Sequence, residues 1–182
     1  MALLLTEDFT GRYNVSLNKF EENDLMLYIS DIQDIWLTDL LGCDLKALFD
    51  ADLVADSEGR DVPQSAEYLA IYNAICDDDL TCCCNYYGTI IDKKVRSYGM
   101  LDLFKSITRF YFLRDQKYKQ TISGTVVSDN ENSTVIKSLH YGLTKQYNKG
   151  VESYQAIQCY INKNKNTYPT YKGCNKNFLS WL

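Results

Sequence analysis

Between Ile136 and Ile161, apolar side chains recur every three or four positions: Ile136, Leu139, Leu143, Tyr147, Val151, Tyr154, Ile157 and Ile161. A run of that period over about seven turns fits only a long helix that buries one narrow seam, the pattern of bundle packing. Gly150 interrupts the run and is expected to weaken the helix by about 1 kcal/mol relative to Ala. A second long pattern runs from about Arg96 to Tyr118. There Met100, Phe104, Ile107, Tyr111 and Tyr118 form a stripe flanked by Leu101, Leu103 and Phe112, wide enough for a central helix buried on more than one side.

The N-terminal half repeats the theme. Asn18 and Glu21 offer a capping pattern, after which Leu25, Tyr28, Ile29, Ile32, Ile35, Trp36 and Leu40 predict a helix of about twenty residues that Gly42 ends. A short helix carrying Leu45, Leu48, Phe49 and Leu53 follows, then a polar connector, "DSEGRDVPQ", with turn signals at Gly59 and Pro63. A third helix opens at Ser65, places Tyr68, Ile71, Tyr72 and Ile75 on one face, and should stop at "CDDD". The expected fold is mainly α: a bundle of four to five helices.

One passage breaks the helical pattern. In "TISGTVVSDNENST", residues 121–134, Thr121, Ile122, Thr125, Val126 and Val127 favour extended backbone, Gly124 permits a bend, and "SDNEN" is rich in turn formers. With the extended run Ser133–Ile136 it reads as a protruding β-hairpin or extended loop, residues 121–135, between the two longest helices. The segment can be an idle surface loop, but two helices reverse direction in far fewer residues, so it is expected to pair with a neighbouring subunit or to line a channel.

A chain of 182 residues with 46% apolar content supports one core. Residues 1–166 are expected to form the helical domain, and residues 167–182 a tail. That tail is polar until Phe178, Leu179, Trp181 and Leu182, an apolar end that should dock on its own core or on a neighbouring subunit. The run Ala2–Leu5 is too short for a signal-peptide core, and no stretch approaches the roughly 18 apolar residues of a membrane span, so a soluble protein made in the cytoplasm is expected. With no export signal and an odd count of seven cysteines, reduced thiols and no disulfides are expected.

Charge is divided sharply. Residues 1–80 hold 18 acidic and 4 basic side chains, residues 81–182 hold 6 acidic and 15 basic. Such a molecule can pair head to side with its own copies, turn its basic half to an acidic partner, or neutralise its halves within one fold. Arg114, Lys117 and Lys119 lie near Tyr118, and Lys163, Lys165, Lys172 and Lys176 near Tyr168 and Tyr171, a mixture suited to loose contact with a nucleic-acid backbone. No helix-turn-helix, finger or RNP pattern organises base readout.

Catalysis finds little footing. The one histidine, His140, stands without a nucleophile motif, and no Walker loop, Rossmann fingerprint or G-x-S-x-G elbow is present. Cys82, Cys83 and Cys84 are adjacent rather than spaced in pairs for zinc, and Asp77, Asp78 and Asp79 lack the alternation of a calcium loop. No enzymatic activity, metal or cofactor is expected.

Taken in order, "LLTEDFTGRYNVS", "IWLTDLLGCDLKALF", "FYFLRDQKYKQTISGTVVSDNENS" and "YNKGVESYQAIQCYI" resemble the head-to-tail connector proteins of tailed bacteriophages, above all the adaptor or ring proteins of crAss-like and related Bacteroides phages. The resemblance covers roughly residues 1–165; Cys76–Tyr87 and the tail after Asn166 depart from it. It implies a helical subunit with a protruding loop, assembled as a dodecameric ring at the portal vertex of the virion. Such a ring would bind portal and further tail or ring proteins and surround the packaged DNA with non-specific contact. A cytosolic helical regulator or inhibitor of one protein partner is the other function compatible with these residues.

Overall fold

The computed structural model describes residues 2–15, 19–76, 81–86, 89–116, 118–121, 124–127 and 136–172, of which 19–21, 81–86, 89–93, 118–121, 124–127 and 136–141 are described by their backbone alone. The chain is mainly helical, as its periodicity predicts. Two short 3-10 turns, Thr6–Asp8 and Gly11–Tyr13, precede α1 (Lys19–Ala51), β1 (Leu53–Ala55), β2 (Asp61–Pro63) and α2 (Ala66–Tyr72). Then come β3 (Thr81–Tyr86), β4 (Thr89–Lys94), α3 (Met100–Gln116), β5 (Tyr118–Thr121), β6 (Gly124–Val127) and α4 (Ile136–Lys163). The six strands form three separate antiparallel hairpins, β1–β2, β3–β4 and β5–β6.

α3 and α4 share the largest interface between helices, and α1 lies across both. Leu25, Ile29, Ile32, Trp36, Leu37 and Leu40 of α1 are buried with Met100, Leu103, Phe104, Ile107 and Phe112 of α3 and Tyr147, Val151, Tyr154, Ile157 and Ile161 of α4. The Trp36 ring meets Tyr154 edge-on at 5.7 Å and Tyr147 at 6.4 Å, which fixes α1 against α4. At Gly42 the backbone leaves helical geometry with φ 73°, so the expected break is present although helical structure resumes at once and carries Leu45 and Phe49 into the core.

Several expectations need correction. Ile35 and Leu48, placed on apolar stripes, are exposed, because their neighbours Trp36 and Phe49 take the core positions. Leu53 lies in β1 opposite Pro63, so "DSEGRDVPQ" is the turn of a hairpin rather than a plain connector. Asp56 makes that turn: its Oδ1 accepts the Glu58 and Arg60 N–H groups at 2.8 and 2.9 Å, and Gly59 supplies φ 81°. Ser65 is the N-cap of α2, but its hydroxyl binds Asp52, whose Oδ2 also accepts Gln64 N–H and Ser65 N–H at 2.8 Å each. α2 ends at Tyr72, before "CDDD", and Ile75 instead exchanges backbone hydrogen bonds with Ser97. Tyr118 begins β5 rather than extending α3, since its backbone pairs with Val127. Asn18 and Asp77–Asp79 lie outside the described residues, as does the Glu21 side chain.

The N-terminal strip is held by buried polar groups. Gln33, 1% exposed on α1, accepts the N–H groups of Leu3 and Leu4 on its Oε1 at 2.8 and 3.2 Å and donates Nε2 to Ile29 O at 3.1 Å. At the entry to α3, Gly99 has φ 95°, and a β-carbon there would lie 3.2 Å from Tyr72 O, so glycine is required on both counts. Among the described residues no helix is long and apolar enough to cross a membrane.

Candidate interaction surfaces

The segment 10–15 runs along the seam of α3 and α4, and the side chains that pin it there build a basic groove. Gln146 of α4 donates Nε2 to Arg12 O at 2.8 Å while its Oε1 accepts from Arg109 of α3, whose Nε reaches Asn14 O at 3.4 Å. Tyr13 donates its hydroxyl to Asp102 Oδ1 at 2.7 Å, and Arg12 forms an ion pair with the same carboxylate. Burial, the dominant influence, pushes the Tyr13 phenol up to about 12, and it holds Arg109 below the usual guanidinium range. Arg12, Tyr13, Gly142, Lys145, Gln146 and Lys149 then line an open groove of about 220 Å³. Its lining carries three cations and no carboxylate.

A second cleft, about 290 Å³, lies beyond Lys149 along α4 and is lined by Ile75, Cys76, Lys94, Val95, Arg96, Tyr98 and Glu152. Lys149 links the two, with Nζ 4.3 Å above the Tyr98 ring, a cation–π contact. Tyr98 is held in place because its N–H donates to the buried Ser153 Oγ at 3.0 Å. Lys94, Arg96, Lys145 and Lys149 make no ion pair among the described residues. The arrangement can receive an anionic surface; it offers no nucleophile paired with a base.

The loop residues singled out in the sequence are placed differently from the expected pairing. Lys119 opposes Val126, Gln120 opposes Thr125, Thr121 opposes Gly124 and Tyr118 opposes Val127. β6 therefore pairs with Tyr118–Thr121 on its N-terminal side, not with Ser133–Ile136 beyond "SDNEN". Ile122, Lys117 and residues 128–135 lie outside the described residues, as do Phe178, Trp181 and Leu182. Arg114 is not a free cation: its Nε donates to Asp115 Oδ1 at 2.6 Å, which raises its pKa, and its guanidinium lies 4.6 Å over the Tyr111 ring. The start of the tail packs on the chain's own core, with Tyr168 2% exposed and its hydroxyl donating to Glu67 O at 2.6 Å. Lys172 adds an ion pair with Asp44.

The expectation of reduced thiols throughout fails at Cys159, which is disulfide-bonded to a cysteine whose side chain is outside the described residues. Cys43 and Cys76 are free and exposed. Export signals and cysteine parity say nothing of proximity, and β3, the strand of Cys82–Cys84, packs against α4, which carries Cys159. Among the described residues, no group of three His, Cys, Asp or Glu side chains is arranged around a metal-sized space.

The basic groove was not legible in advance. Arg12, Lys145 and Lys149 are far apart or unremarkable in sequence, and only the Gln146 clamp brings Arg12 to α4. No family model, curated protein or solved structure matches this chain.

Proposed function

We propose that this chain is a structural ring subunit of the head-to-tail connector of a tailed bacteriophage, seated between portal and tail. Its ring, dodecameric by the resemblance of its sequence, extends the DNA channel, closes the filled head and presents a docking surface to the next tail component. Residues lining the channel touch DNA without reading its sequence.

The observation that carries this reading is the β5–β6 hairpin. It emerges between α3 and α4, and its two four-residue strands pair with no third strand among the described residues. An isolated two-stranded hairpin is marginal in water, and open strand edges are a template for pairing with another chain. A hairpin at this point of a helical subunit therefore suits strand addition across a subunit boundary. Lys145 and Lys149 of α4, which make no ion pair among the described residues, suit either a polyanion or an acidic protein face.

The test is co-expression with the portal protein of the same phage, followed by electron microscopy of the purified complex. A closed ring of this chain on the portal is expected. A chain that stays monomeric and leaves portal unbound would overturn the connector function and favour a helical regulator of some other protein.

A further inference from the structure

The outer face of α1 carries three large apolar side chains in solvent: Met26, Leu27 and Ile35, 56%, 65% and 55% exposed. Single exposed apolar residues are ordinary, but Met26 and Leu27 are adjacent and Ile35 stands two turns further along the same side as Leu27. At 3.6 residues per turn, Leu27, Asp31 and Ile35 follow one another at four-residue spacing, and Met26, Ser30 and Asp34 form the adjoining row. Glu22, Asp24 and Asp31 are exposed around them and have no cation partner among the described residues; Asp34 shares Lys46, at 3.2 Å, with Asp50. The face is thus a strip in which exposed apolar side chains alternate with acids, which a partner offering cations on apolar stems would cover.

Its electrostatic complement is on the same molecule but out of reach. Trp36 of α1 meets Tyr147 of α4, and Lys145 and Lys149 stand two positions either side of Tyr147, which a helix turns to the side away from α1. The acidic face of α1 in turn points away from Trp36 and the core. One chain cannot bring these two surfaces together; a second copy can. The groove is open at Gly142, where a β-carbon would touch nothing within 4 Å.

We infer that the acidic and apolar face of α1, centred on Leu27, Asp31 and Ile35, docks in the Arg12–Lys145–Lys149 groove of the next copy of this chain. Two different faces then meet at each contact, the heterologous arrangement that closes into a ring when its rotation allows. The inference rests on the ring-subunit reading and names the interface that reading needs. Charge pairs across such a contact set partner and register, so the assembly is salt-sensitive.

Two charge reversals test it: Asp24→Lys with Asp31→Lys, and Lys145→Glu with Lys149→Glu. Native mass spectrometry reads assembly at low and high salt, with and without portal, and helical circular dichroism checks that each variant folds. Each variant alone opposes like charges at every contact and is expected to self-associate at least about a hundredfold more weakly than the unmodified chain. An equimolar mixture places the positive α1 face of one against the negative groove of the other, and the unaltered pair at the next contact, so assembly returns with the two variants alternating. Variants that form rings as readily as the parent chain, or a folded mixture that stays monomeric, would overturn this interface. Rings that persist on portal in both variants leave the connector function standing without it, whereas a parent chain that ignores portal removes that function as well.

Discussion

A β-carbon on Gly150 of α4 would lie 3.0 Å from Cδ1 of Ile107 and 3.1 Å from Cβ of Ser106 on α3. The glycine that weakens the helix taken alone lies where α4 packs closely on α3. Ile107 and Ser106 are both fully buried, and the Ser106 β-carbon moves only with its backbone. The crowding, about 1–3 kcal/mol for an overpacked core, outweighs the gain of about 1 kcal/mol in helix propensity. Gly150→Ala is expected to destabilise the protein by about 1 kcal/mol, a fall in Tm of about 2–4 °C. Gly142→Ala, eight residues earlier on the same helix in open space, is expected to stabilise it by about 0.5–1 kcal/mol. Thermal melts of the pair check the sign in each case, and two substitutions that shift Tm in the same direction would refute the packing argument.

Gln33 holds the N-terminal strip by a single oxygen. Replacing it with Leu keeps the volume but leaves the Leu3 and Leu4 N–H groups without an acceptor in a dry site. Orphaned buried donors cost about 1–3 kcal/mol each, so the two together predict a loss of about 2–6 kcal/mol in urea unfolding. Hydrogen exchange gives the local readout: protection at Leu3 and Leu4 should vanish while that of the α3 amides falls only with global stability. Protection retained at both positions would show that Leu3 and Leu4 stay buried without the amide.

The contrast between these sites explains what the sequence made visible. The seam of α4 and the stripe of α3 repeat their period over many turns, so burial of Tyr147, Tyr154, Ile157, Phe104 and Ile107 follows from spacing alone. Gln33 sits inside an apolar stripe with partners some thirty positions away, and polar residues of that kind leave no local trace. The Arg109–Gln146–Arg12 clamp that shapes the basic groove is likewise assembled from three separate elements. Of the three hairpins only the one near Thr121–Val127 was legible, as an interruption of the helical pattern, and not in register; β1–β2 reads as helix and connector, and β3–β4 gives no strand signal. β3–β4 runs through three consecutive cysteines without polar alternation, and β6 pairs with Tyr118–Thr121, a stretch whose Lys119 and Gln120 carry no strand signal.

Alkaline stability depends on buried phenols. Tyr13, Tyr28 and Tyr147 are each pushed up to about 12 from an ordinary value of 10.0, chiefly by burial, with Asp115 accepting the Tyr28 proton. Because the folded-state values are raised, the folded protein holds these protons after the unfolded chain has released them. Their contribution is fully present below pH 10 and is lost as pH rises from 10 towards 12. Tyrosinate absorbance and helical circular dichroism followed together should show a fraction of phenols that ionise only as the helices melt. Complete ionisation near pH 10 with helicity intact would place these rings in solvent.

If the β5–β6 hairpin serves assembly as proposed, removing it should spare folding. Among the described residues the buried cluster is built by α1, α3 and α4, which meet one another directly. Deleting Ser123–Ser133 removes β6 and the proposed strand-pairing edge while leaving a connection long enough to join α3 to α4, since helix connections of 2–8 residues are common. A monomer with unchanged helical content and a Tm within a few degrees of the parent is expected, together with loss of ring formation on portal. Retained rings would mean that the hairpin edge is not an assembly element, and the contact between the α1 face and the basic groove would then have to close the ring alone. A molten, aggregating product would instead assign the hairpin to the folding of the subunit itself. Pairing with a neighbour is tested separately by Val126→Pro, which removes one strand N–H without shortening the chain. If that N–H bonds across the subunit boundary, the substitution weakens ring formation at unchanged helical content; if it bonds only to β5, the monomer loses stability and rings form at the parent concentration.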